Sequence, residues 1–111
     1  MEYHIKEGTQ PMTAQREVAI MEAAIAKWGE NAQIGMAIEE MSELTKALCK
    51  YARVAGHADA DSDLMKLTIG NILEEMADVS IMLSQMELIF GDPTDWEIRK
   101  LERLAKRIGM E

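Results

Sequence analysis

Cross-links and bulky anchors are scarce in this chain. Of its 111 residues one is cysteine, Cys49, so no internal disulfide can form. A catalytic thiolate would need a neighbouring base, and nothing places either of the two histidines, His4 and His57, beside Cys49. Absence of disulfides fits a reducing cytoplasm. Aromatic residues make up only 5%, too few to anchor a sheet sandwich, and no useful run of alternating apolar and polar residues appears. No stretch of 18 apolar residues exists, and the N-terminus lacks the apolar core of a signal peptide, so the expectation is a soluble cytoplasmic protein without a membrane partner. Basic residues are also in deficit, 12 against 20 acidic ones, a net charge of -8. A uniformly acidic surface repels DNA, the RNA backbone and anionic lipid, which argues against a polymeric nucleic acid partner. It does not exclude a polyphosphate substrate if metal ions sit between protein and phosphate.

What is present is helical. Apolar residues reach 48%, but much of this is alanine and ten methionines, which suit closely packed helices. Thr13 can cap a first helix that carries Val18, Met21, Ile25 and Trp28 at helical spacing and stops at Gly29. Asn31 can cap a second, from about 32 to about 54, with a stripe of Ile34, Ile38, Met41, Leu44, Leu48 and Ala52. Residues 56–63 read as a solvated loop. Its alternating Asp59, Asp61 and Asp63 lack the central glycine and terminal glutamate of a calcium loop, so they serve to cap the next helix. The third helix is expected from near Leu64 to about Phe90, with Ile69, Ile72, Leu73, Met76, Val79, Leu83, Met86 and Phe90 in its stripe. Gly91-Asp92-Pro93 ends it. Thr94 or Asp92 caps a fourth helix that carries Trp96, Leu101, Leu104 and Ile108 and ends near Gly109. The expected fold is a single all-α domain over 1–111, a four-helix bundle-like arrangement whose two long central helices run antiparallel because the loop between them is short.

One phrase occurs twice. Residues 34–44 read IGMAIEEMSEL and residues 69–79 read IGNILEEMADV, so each copy carries carboxylates spaced i,i+3. At about 100° per residue, Glu40 and Glu43 share one flank of the second stripe, and Glu75 and Asp78 share the equivalent flank of the third. Antiparallel packing of the stripes would bring all four together. Carboxylates at close range raise each other's pKa values, and a divalent cation relieves that repulsion. A set of hard oxygens without histidine suits Mg²⁺, with Mn²⁺ as a substitute. Magnesium held this way keeps water positions that substrate phosphates usually complete. Glu39 is near enough in sequence to join as a ligand or to hold the attacking water. Lys50 lies on the flank where a phosphate would need a cation. Lys46 and Arg53 lie on its outer side, where they either serve the phosphate or only solubilise the helix. Ile81, Leu88 and Ile89 lie off the third stripe, so that helix is apolar around much of its circumference, and self-association would cover it.

The sequences EEMSE over 39–43 and EMAD over 75–78 resemble the EExxE…ExxD signature of the MazG-like all-alpha nucleoside triphosphate pyrophosphohydrolases, a resemblance that covers roughly residues 15–91. The resemblance implies cleavage of the α–β phosphate bond of a nucleoside triphosphate, releasing pyrophosphate and a monophosphate. It implies Mg²⁺ on Glu40, Glu43, Glu75 and Asp78, with Glu39 supporting or activating water, and assembly as a homodimer or homotetramer. It further implies a phosphate contact at Lys50. Some members carry a basic residue at the position held here by Asn71, which could instead bind sugar or phosphate through hydrogen bonds. Trp28 is a candidate for stacking on the base, and Trp96 for packing. Related helical enzymes act on phosphoribosyl-ATP or on deoxyuridine nucleotides, and an acidic oligomerisation module without catalysis is the non-enzymatic counterpart.

Overall fold

The computed structural model describes residues 8–57, 59 and 62–110. They form four helices, α1 (Ala14–Trp28), α2 (Glu30–Ala55), α3 (Asp63–Phe90) and α4 (Thr94–Arg107), with no strand among the described residues. Residues 1–7 and Asp61 of the acidic loop lie outside the described residues.

The helix ends follow from local chemistry. Thr13 caps α1, its hydroxyl accepting from the Arg16 N–H at 3.2 Å. Gly29 ends α1 at φ 92°, a conformation that favours glycine. The same residue begins α2, so Asn31, expected as the cap, lies inside the helix and α2 starts without a side-chain cap. Ser62 caps α3 by accepting from the Met65 N–H at 3.1 Å. Asp92 receives the N–H of Thr94 at 3.0 Å and its hydroxyl at 2.5 Å, which fixes the corner where α4 begins.

The core lies between α2 and α3, which pack along their length. Gln33 near the start of α2 hydrogen-bonds Gln85 near the end of α3, so the two helices run antiparallel, as the short loop requires. The seam differs from the expected one. Bordered by Ile34, Asp78 and Gln85, its main run of half-buried and buried positions is Gln33, Ala37, Glu40, Leu44, Ala47 and Val54 on α2, facing Met65, Thr68, Ile72, Glu75, Val79, Met82, Met86 and Ile89 on α3. Those spacings are steps of three and four, the 3.5-residue repeat of near-parallel helices in contact. The stripes expected to meet are split: Leu44, Ile72, Val79 and Met86 join the seam, whereas Ile38, Met41, Leu48, Ile69, Leu73, Met76 and Leu83 remain exposed. The small Ala37 and Ala47 let the backbones approach on the flank, and so the carboxylate side of each helix turns inward.

α1 packs against one end of this hairpin, burying no residue fully. Among the described residues α4 does not pack on the other helices, and only Glu97 in its first turn borders α3. Trp96, grouped with the α4 stripe from sequence, stacks instead under the Arg99 guanidinium, 5.4 Å from the ring centroid.

Candidate metal centre

The inward turn of the flanks places Glu40 on α2 opposite Glu75 and Asp78 on α3. One carboxylate oxygen from each lies within 4.8 Å of the others, and all three side chains are half-buried. No basic side chain forms an ion pair with any of them among the described residues. Glu75 Oε2 is buried without a hydrogen-bond partner. An oxygen anion in that position leaves its charge unanswered by protein, and a hard cation is the chemistry that answers it.

Electrostatics carry the same message. Partial removal from water raises the pKa of Glu40, and the charges of Asp78, Glu75, Glu39 and Glu43 raise it further. Glu75 is raised first by removal from water and then by Asp78, Glu43 and Glu74. The donor set is entirely carboxylate oxygen, as Mg²⁺ and Mn²⁺ prefer.

Three of the four carboxylates expected at one point therefore meet. Glu43 stands outside the trio, exposed, with its carboxylate 3.9 Å from the Lys46 ammonium. It still borders the site, because its charge acts on both Glu40 and Glu75. Glu39 is exposed and reaches the trio through its effect on Glu40.

An open groove of about 410 Å³ leads away from Glu75 between α2 and α3. Glu43, Lys46, Lys50 and Arg53 line its α2 side, and Thr68 and Asn71 its α3 side. The expected substrate contacts Lys46, Lys50 and Asn71 thus share one surface with Glu75. Arg53, left open like Lys46 between phosphate binding and solubility, joins them there. Trp28 does not line this groove. It is exposed at the end of α1 with the Lys27 ammonium 5.3 Å from its ring centroid. The ten helical steps of α2 from Glu30 to Glu40 put roughly 15 Å between that end and the carboxylates.

Sequence reasoning misses the seam polar residues. Gln33 and Gln85, 5% and 4% exposed, are joined by a hydrogen bond of 2.6 Å. Thr68, 1% exposed, donates to the Leu64 carbonyl at 2.7 Å, so its hydroxyl is already engaged where it borders the groove. The available signal is the 3,4 spacing that links 33, 37 and 40 to 44, and 65, 68 and 72 to 75.

No helix among the described residues is long and apolar enough to cross a membrane. No protein-family model, curated protein or solved structure matches the chain.

Proposed function

We propose that this chain is a divalent-metal-dependent nucleoside triphosphate pyrophosphohydrolase of the MazG-like kind, working in the cytoplasm as a homodimer or homotetramer. In the proposed reaction water adds to the α-phosphorus, the α–β anhydride bond breaks, and a nucleoside monophosphate and pyrophosphate leave. The observation that carries this reading is the convergence of Glu40, Glu75 and Asp78, with Glu75 Oε2 unpartnered, at a groove lined by Lys46, Lys50 and Arg53.

Glu40, Glu75 and Asp78 would hold the ion, with Glu43 within reach as a fourth carboxylate. Bound Mg²⁺, or Mn²⁺ in its place, supplies charge neutralisation and polarisation of phosphorus. Lys50, Lys46 and Arg53 would draw the anionic phosphate chain along the groove and stabilise charge on the departing pyrophosphate. Asn71, facing them, offers hydrogen bonds to sugar or phosphate. Glu39, beside the trio, is the carboxylate available to orient water. The exposed Ile38, Met41, Leu73 and Met76 supply an apolar face on which a second hairpin would pack, which supports the oligomer.

That same apolar exposure favours the competing reading, an oligomerisation module without catalysis. A nucleotide panel with and without Mg²⁺, with pyrophosphate and phosphate detected separately, decides between them. The expected result is Mg²⁺-dependent pyrophosphate release from a nucleoside triphosphate, lost in Glu40→Gln and Asp78→Asn. Absence of turnover on every nucleotide, or turnover indifferent to both substitutions, overturns the proposal.

A further inference from the structure

Among the described residues α4 is the one helix that packs on no other helix, and only its first turn, at Glu97, borders α3. Fourteen residues are close to the lower limit for a helix standing alone in water, so its stability requires a surface. It is also sharply two-sided. Ile98, Leu101, Leu104 and Ile108 fall within about 120° of arc, while Arg99, Arg103 and Lys106 fall on the opposite side. The four apolar side chains are exposed, Leu101 and Ile108 each at 62%.

Charge indicates which surface. α4 holds five basic and three acidic residues, whereas the whole chain holds 12 and 20, leaving 7 and 17 for the remainder. A basic helix is thus joined by a three-residue corner to a strongly acidic body. Anionic lipid would attract the helix and repel the body attached to it, whereas the body of another copy attracts the helix. The area agrees. The chain exposes 9324 Å², where a compact monomer of 12.5 kDa exposes roughly 6,200 Å². The surplus exceeds the roughly 800 Å² per partner that a stable interface covers.

We propose that α4 is an arm that packs on a second copy of this chain, laying its Ile98–Leu101–Leu104–Ile108 stripe on that copy's exposed apolar surface and its basic side chains near that copy's acidic ones. The arm does not depend on the pyrophosphohydrolase reading, because association without nucleotide or metal is what it predicts.

Sedimentation equilibrium of the full chain, without metal or nucleotide, tests it. L101E/L104E should weaken self-association by on the order of a hundredfold or more, from the loss of two buried leucines per arm. The substitutions leave the α2–α3 seam untouched, which circular dichroism and an unchanged Met82-dependent unfolding transition verify. R103E/R107E, which keeps the stripe, should weaken association at low salt and much less at high salt. Three results overturn the arm: wild-type chain that stays monomeric at the highest concentration sedimentation reaches; association unchanged in L101E/L104E; or wild-type chain that binds phosphatidylserine vesicles through α4 while its self-association is indifferent to the α4 substitutions.

Discussion

Titration of the carboxylate trio with metal is the sharpest test of the centre. Glu40 and Glu75 have pKa values raised by partial burial and by neighbouring negative charge, Asp78 foremost among the charges. A raised folded-state value means that the folded chain binds protons more tightly than the unfolded one. The metal-free fold is therefore favoured below the ordinary glutamate range, and that contribution is lost as pH rises through the raised values. A divalent ion requires the ionised form, so its binding displaces any proton that remains. Two groups are raised, so metal uptake should release up to two protons per ion in mildly acidic solution and none at alkaline pH. Calorimetry of Mn²⁺ binding in buffers of different ionisation enthalpy counts those protons. Glu75→Gln should lower affinity by at least about tenfold and remove one of the two protons. Affinity that is flat with pH, or a Glu75→Gln chain that binds Mn²⁺ as tightly as wild type, would refute the assignment.

Other outcomes follow from the seam. Gln33→Ala strands the buried Gln85 amide and should cost about 1–3 kcal/mol in urea unfolding, whereas Q33L/Q85L removes both partners and should cost less. Additive single substitutions in a double-mutant cycle would show that the amide pair is not coupled. Gly70 sits inside α3, and a Cβ added there meets no atom within 4 Å. Gly70→Ala should therefore stabilise by about 0.5–1 kcal/mol, and a lower melting temperature would instead reveal that a second copy approaches that backbone. Met82→Ala, in the core, should cost about 2–5 kcal/mol, while Leu73→Ala at low protein concentration should stay within about 0.5 kcal/mol.

The helix ends at Thr13, Gly29 and the Gly91-Asp92-Pro93 corner were legible because each acts within one turn, whereas the cap of α3 falls to Ser62 rather than to the loop aspartates and that of α4 to Pro93 rather than to Thr94 or Asp92. Asn31 misled because Gly29 serves both α1 and α2, leaving no separate capping residue. The convergence of Glu40, Glu75 and Asp78 was legible from the repeated phrase, although by a different route from the one that phase alone suggests. The phase of the apolar residues locates an apolar face without saying which chain covers it. Ile38, Met41, Leu73 and Met76 read as core and stand exposed, while Gln33, Thr68 and Gln85, which belong to none of the apolar stripes, lie buried. A 3.5-residue seam and a 3.6-residue helix drift apart by about 20° per heptad, so over the length of α3 the two patterns separate onto different flanks. The isolation of α4 leaves no mark on periodicity at all, since a stripe looks the same whether its partner is its own body or another.

Polar placement in that seam also bears on how assembly and metal could be linked. Gln33, Glu40, Thr68, Glu75 and Gln85 occupy positions where apolar side chains would hold two helices together more strongly. The two glutamates oppose each other's charge across the contact, with no basic residue between them. A hairpin built this way has two means of relief, protonation of the carboxylates or a cation among them. It also keeps its larger apolar side chains on the outside, where a second copy can use them. If the proposed ion draws α2 and α3 together, the spacing of the exposed Met41 and Met76 across the hairpin changes with it, and so does the surface offered to that copy. Metal and association would then be coupled, and the coupling is reciprocal. Sedimentation with saturating Mn²⁺ should show tighter self-association than without it, and Glu75→Gln should abolish the difference while leaving metal-free association in place. Equal association with and without Mn²⁺, in a chain shown by calorimetry to bind the ion, would mean that the carboxylate seam and the apolar face act independently.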